Sequence, residues 1–264
     1  MKLNILALAA IGVVLSLPAA AQSSTDEIAK YRAMLAEDNP ADLSEDKGEE
    51  LWRQARGPKK IPLEKNCDLG LGPGVVVGAY VALPRYFADT NKVQDLESRL
   101  ITCLTTIQGF PDAEARKSPF GANSNMQALV AFIAARSKGR VINPPMDHPK
   151  EKEAYAIGKQ IFFYRAGPHD FACVTCHGAP DQRIRLQNLP NLLEKKDAQS
   201  AYGSWPAYRV SQGEVRTMQH RLYDCFRQQR FPEAIYASDA ITALTSYLAK
   251  NAAGGTFNAP AMKR

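Results

Sequence analysis

Cys173-Val174-Thr175-Cys176-His177-Gly178 is the stretch on which the reading of this chain turns. It is a C-x-x-C-H motif followed by glycine, the attachment signature of c-type haem. The chemistry sets the spacing. Two thiols add to the two vinyl groups of one porphyrin, and the adjacent imidazole then lies under the iron as proximal ligand. Gly178 is expected to relieve crowding beside the ring. Two other uses of paired cysteines fit less well. A dithiol redox pair has no need of His177. A zinc site needs a second ligand pair at suitable spacing, and the sequence offers none.

At the other end of the chain, Lys2 precedes an almost unbroken apolar run over residues 3–17, then Pro18 and Ala19-Ala20-Ala21 before Gln22. This pattern predicts a signal peptide at 1–21, a mature chain from Gln22 and a periplasmic location. About 15 apolar residues fall short of the roughly 20 that span a bilayer, and no later run is longer, so no membrane span is expected. Export places the chain where disulfides persist. The 264 residues carry 45% hydrophobic and 23% charged side chains, which excludes a disordered or multi-span membrane protein. The net charge of +6 comes from 33 basic and 27 acidic residues, too scattered to argue for nucleic acid.

The chain has five cysteines: Cys67, Cys103, Cys173, Cys176 and Cys225. Two thioethers at Cys173 and Cys176 leave three, and an internal repeat chooses among their pairings. The second half reads Gly158-Lys159-Gln160-Ile161-Phe162-Phe163, the haem motif, Arg221-Leu222-Tyr223-Asp224-Cys225, Phe231-Pro232 and an apolar segment at 240–248. The first half reads Gly48-Glu49-Glu50-Leu51-Trp52-Arg53, Cys67, Arg99-Leu100-Ile101-Thr102-Cys103, Phe110-Pro111 and an apolar segment at 126–135. Two copies of one supersecondary unit are the economical reading, each resembling a small helical cytochrome c domain.

The expected fold is therefore mainly α: two tandem cytochrome c-like domains at 22–142 and 151–264, joined by a Pro-rich linker at 143–150. Periodicity predicts helices at 24–37, 48–55, 94–107, 126–138, 150–164, 215–230 and 240–251, with a short strand conceivable at 75–81. Cys67 stands where a haem-binding cysteine would be, but no second cysteine or histidine follows it, so only the C-terminal domain binds haem. Cys103 stands where Cys225 is in the other copy. A Cys67–Cys103 disulfide would close a loop of about 36 residues and contribute on the order of 3–4 kcal/mol. Cys225 is then the odd thiol.

His177 takes one axial position of the iron. Cys225, Met218 and His220 are the candidates for the other. A thiolate there would favour ferric iron and a low potential. Arg221 lies four residues before Cys225, on the same helix face. A guanidinium beside a haem-bound sulfur makes an anion site with bidentate geometry.

These residues, C-V-T-C-H-G at 173–178 and R-L-Y-D-C-F-R-Q-Q-R at 221–230 in a duplicated exported cytochrome, resemble the A subunits of the SoxAX cytochromes of sulfur-oxidising bacteria. Lacking an N-terminal C-x-x-C-H, the chain is similar to the monohaem branch, in which a disulfide replaces the lost haem. The resemblance implies an L-cysteine S-thiosulfotransferase. Such an enzyme couples thiosulfate oxidatively to a cysteine of SoxY in the SoxYZ carrier complex, and two electrons pass through one haem c to a cytochrome c acceptor. It implies Cys225 as distal ligand and persulfide-bearing catalytic cysteine, Arg221 as the thiosulfate-binding residue and a SoxX-like monohaem cytochrome as partner. The carrier cysteine must reach Cys225, so an open cleft is expected near 216–230. The competing expectation is a plain electron-transfer cytochrome with Met218 as ligand.

Overall fold

The structure, a computed structural model, describes residues 30, 34, 39–117, 120, 124–184 and 187–263. The expected signal peptide lies outside the described residues, as does the expected helix at 24–37 apart from Lys30 and Met34, both helical. The first half runs α1 (Ala41–Arg53), α2 (Leu63–Asn66), the hairpin β1 (Arg85–Phe87) and β2 (Lys92–Gln94), α3 (Leu96–Cys103), a π turn at Leu104–Gln108, α4 (Asp112–Ala115) and α5 (Asn125–Ala135). The second runs α6 (Pro149–Phe163), α7 (Cys173–His177), the hairpin β3 (Arg183–Ile184) and β4 (Gln187–Asn188), and α8 (Lys195–Tyr202). It continues through β5 (Ala207–Arg209), β6 (Glu214–Arg216), α9 (Met218–Gln228), α10 (Asp239–Asn251) and β7 (Ala261–Lys263), which pairs parallel to β5.

The helices start where side chains satisfy their first amides. Asp95 and Ser98 form a capping box on α3, Ser124 and Gln127 one on α5, and His148 and Glu151 one on α6, with Pro149 at the first turn. The two halves then repeat in detail. α1 crosses α5 at Gly48, whose absent Cβ would meet the Ala128 carbonyl oxygen at 2.0 Å. α6 crosses α10 at Gly158, where the Ala243 carbonyl oxygen is also at 2.0 Å. Both following loops carry a glycine with positive φ, Gly57 at 70° and Gly167 at 71°, and close through the bridges Arg56–Ile61 and Ala166–Phe171. The hairpin β1–β2 matches β5–β6, and each follows a cis proline, Pro84 and Pro206.

This register differs from the expected one. Leu63 matches Cys173, Asn66 matches Cys176 and Cys67 matches His177, so Cys67 holds the place of the histidine of the motif rather than of one of its cysteines. Further corrections are local. The segment at 75–81 forms no strand: it is irregular up to the 3-10 turn at Tyr80–Ala82, and Val75 and Val77 are exposed. The helix expected over 215–230 starts only at Met218. Val215 instead lies buried in β6, and the β-branched Thr217 caps the helix by accepting from the His220 amide. The helix expected from 94 likewise begins after strand β2.

The linker does not separate two bodies. Leu100, Ile101, Leu129 and Ile133 share one core cluster with Trp205, Ala207, Phe257 and Ala259. Gly139 donates to Phe257 and Gly254 to Ile142, while Ile142 donates to Gly255 and Phe257 to Arg140, at 2.7–2.8 Å. These reciprocal bonds join equivalent segments of the two repeats about a local two-fold axis.

Candidate haem and anion site

A cavity of about 1070 Å³ opens in the second repeat. α7 brings Cys173, Cys176 and His177 to its wall, and α9 brings Met218, Arg221, Leu222, Asp224 and Cys225. Phe162, Leu192, Leu244 and Leu248 make apolar walls. Its helical wall runs from Met218 to Gln228.

His177 Nδ1 lies 2.9 Å from the Pro190 carbonyl oxygen, so it carries the proton and leaves the Nε2 lone pair for a metal. Burial holds the His177 pKa below its ordinary value, the Pro190 bond works against this, and Arg221 adds a further lowering. The imidazole is thus neutral and ligand-ready at physiological pH. Thr175 Oγ1 accepts from the Ala172 amide at 3.0 Å and starts the short helix of the motif. Two adjacent thiols, a neutral imidazole with a fixed tautomer, apolar walls and this volume fit haem c. A Cβ on Gly178 would lie 2.6 Å from the Val174 carbonyl oxygen, so the crowding relieved there is against its own turn.

The three candidates for the second axial position part company. Cys225 is half-buried on the cavity wall. Burial pushes its thiol pKa up, and Arg221 pulls it back. Met218 touches the cavity from the first turn of α9 but also belongs to the shared core. The His220 ring packs on Phe120 at 4.6 Å, buried, with burial lowering its pKa to about 4.

The arginines differ in what holds them. Arg216 bonds Glu214 at 3.1 Å and Asp224 at 2.9 Å in a largely buried network. Arg221 has no carboxylate partner among the described residues, and its guanidinium lies 6.0 Å above the Trp205 ring. Arg209 lines the cavity too, bonded to Gln212 at 3.4 Å and with no salt bridge among the described residues, so Arg221 and Arg209 are both cations able to meet an anion here.

Cys67 and Cys103 form a disulfide, with S–S 2.07 Å and Cα–Cα 5.5 Å, inside the core of the first repeat. No helix among the described residues is long and apolar enough to cross a membrane. Three contributors escaped the sequence reading: the Pro190 carbonyl, Trp205 and Ser211, which lines the cavity. Pro190 and Trp205 leave no local signal. Ser211 becomes visible only once the hairpins are in register, as the counterpart of Asp89.

The SoxA/TsdA cytochrome c domain matches residues 47–142 and 157–257, one region in each repeat. The chain belongs to the SoxA/TsdA cytochrome c family. It is 54% identical over 239 residues, 90% of this chain and 87% of the relative, to the Hydrogenophilus thermoluteolus protein named L-cysteine S-thiosulfotransferase subunit SoxA. It is 30% identical to a protein of that name from Hydrogenobacter thermophilus, over 96% of this chain and 94% of the relative. Among solved structures it matches one titled crystal structure of SoxXA from P. pantotrophus, with TM-score 0.74 and 24% identity over 89% of this chain and 84% of that one; this match speaks for the fold.

Proposed function

We propose that this chain is the SoxA-type subunit of an L-cysteine S-thiosulfotransferase, working at a single haem c in the second repeat. Cys173 and Cys176 would hold the haem by thioethers, and His177 and Cys225 would ligate its iron. Arg221 binds thiosulfate, and Cys225 is the reactive cysteine that carries a persulfide. The observation that supports this most directly is Arg221, unneutralised and one turn from Cys225 on the same cavity wall.

The reaction joins the outer sulfur of thiosulfate to the thiol of a carrier cysteine. One S–S bond forms, one S–H bond breaks, and one proton and two electrons leave. Haem c, when bound, supplies one-electron redox capacity, so a c-type cytochrome acceptor takes the two electrons singly. Arg221 orients the dianion and offsets its charge near a partly buried sulfur. His177, fixed by Pro190, keeps one tautomer throughout. The names of the relatives and of the solved complex support a SoxX-type partner subunit; SoxYZ as carrier follows from the proposed activity, and the periplasm from the signal-peptide pattern at 1–21.

The test is a pair of substitutions in the purified holoprotein. Cys225→Met should keep covalent haem, change the ferric spectrum and lower coupling by about 10³-fold or more. Arg221→Ala should keep the parental spectrum and lower coupling about 10–100-fold, the worth of one charge-assisted contact. An unaltered spectrum in Cys225→Met would reject Cys225 as ligand and leave the electron carrier with Met218.

A further inference from the structure

α9 carries both Arg221 and Cys225, yet its first turn has no acidic residue of its own. The first repeat supplies two. The Gln219 amide N–H donates to Glu97 Oε2 at 3.3 Å, and its side-chain Nε2 donates to Asp95 Oδ2 at 2.7 Å. Gln219 Oε1 accepts from the Ala237 amide at 2.9 Å, and Tyr236 donates to Glu97 Oε1 at 3.1 Å. Asp95, Glu97 and Gln219 are 5%, 4% and 2% exposed, so each polar atom left without its bond would be costly. Ala237, the far end of this chain of bonds, has φ of 54°, a conformation that needs holding in a residue with a Cβ.

The repeat makes the arrangement more pointed. Asp95 and Glu97 occupy on α3 the places that Thr217 and Gln219 occupy on α9. Carboxylates at all four places would repel one another across the local two-fold axis. Acids on one side and neutral donors on the other turn the same contact into a clamp. We infer that the repeat without a haem motif holds α9 in place through Asp95 and Glu97, and that Gln219 is a positioning residue for Arg221 and Cys225. Gln219 touches no reacting atom; it sets where the helix behind those two residues sits. The inference rests on the proposed role of Cys225.

The test is a reciprocal exchange in the full-length holoprotein. Asp95→Asn sets an amide against an amide, and Gln219→Glu sets a third carboxyl beside two others. The combined variant restores one donor and one acceptor in reversed order, while residue 95 keeps an oxygen for the Ser98 amide it caps. The readouts are covalent haem content, the ferric low-spin electron paramagnetic resonance spectrum, amide exchange across 218–225 and the coupling rate. In the single variants the spectrum should split into more than one species, amide exchange should quicken, and coupling should fall about 10–100-fold. The combined variant should regain the parental spectrum. Parental spectra and exchange in both single variants would overturn the inference, as would a combined variant no better than either. Should a single variant fail to load haem, Tyr236→Phe removes one donor from Glu97 and takes its place: a split spectrum and quickened exchange support the clamp, and parental ones overturn it. A parent lacking a thiolate-type signal would sink the role of Cys225 instead; exchange then still decides the clamp, quickened in the single variants if it holds and parental if it does not.

Discussion

The two repeats place the same two positions against one another and fill the space between them differently. In the first, Cys67 and Cys103 are bonded directly, and Leu63, Leu69 and Leu100 close the core around them. In the second, the matching residues His177 and Cys225 stand on the wall of a large cavity. The matching arginines differ in the same sense. Arg99 is buried, paired with Asp89 at 2.7 Å, bonded to the Asp68 carbonyl and stacked on Phe87 at 4.0 Å. In the second repeat Ser211 holds the hairpin place of Asp89, so the carboxylate that pairs with Arg99 has no counterpart there. One scaffold thus yields a sulfur-stapled support and an open pocket, by the loss of one carboxylate and the choice of residues at three positions of a short helix.

The comparison is broken hardest at the staple. Replacing both Cys67 and Cys103 by Ala should lower stability by about 3–4 kcal/mol on the loop-closure argument, read by denaturant unfolding. Because the core is continuous across the repeats, the loss should appear in one cooperative transition. Two separate transitions would show that the repeats unfold independently.

The helix crossings sharpen the comparison at a smaller scale. Gly48→Ala and Gly158→Ala each drive a Cβ into a carbonyl oxygen of the crossing helix, so each should cost about 1–3 kcal/mol. Near-equal losses in thermal melts are expected. A tolerated change at one site alone would show that the crossings are not equivalent.

The smallest effect is set by pH. Burial and the neighbouring Asp95 raise the Glu97 pKa from 4.5 to about 8. The folded chain then keeps a proton that the unfolded chain has released, so stability falls as pH rises through this window and levels off above pH 8. Glu45, raised to about 7 first by burial and then by Asp42, adds to the same fall. His220, lowered to about 4, acts on the other side: the unfolded chain takes up its proton below pH 6.5, and stability is lost as pH drops toward 4. Between pH 6.5 and 8 the carboxyls act alone among these three, with a slope of at most about 1.4 kcal/mol per pH unit each. Glu97→Gln, which makes residue 97 like its counterpart Gln219, should flatten the melting temperature across that range. An unchanged slope would show that Glu97 is ionised in the folded chain.

Much of the fold was legible from periodicity and caps. The apolar faces at 126–138 and 240–251 became α5 and α10 within a few residues, and the helix expected from 150 became α6, which starts one residue earlier at Pro149. The repeat was legible too, but its register was not. Matching cysteine to cysteine set Cys67 against a thioether position, whereas the Gly57 and Gly167 loops place it against His177. The short hairpins were missed because strands of three residues carry too little alternation to stand out from a helical pattern. At the site, residues named by a covalent motif could be read directly. Ser211, Pro190 and the clamp on Gln219 could not, since each acts through a partner distant in sequence.

The sequence alone carried the haem-attachment motif, the duplication and the helical character, because these are written in local spacing. The tertiary structure alone decided that the two halves share one core, that Arg221 lacks, among the described residues, the carboxylate its counterpart has, and that acids of one repeat bond to α9 of the other. Those depend on loop lengths and long-range pairing, which no local period encodes.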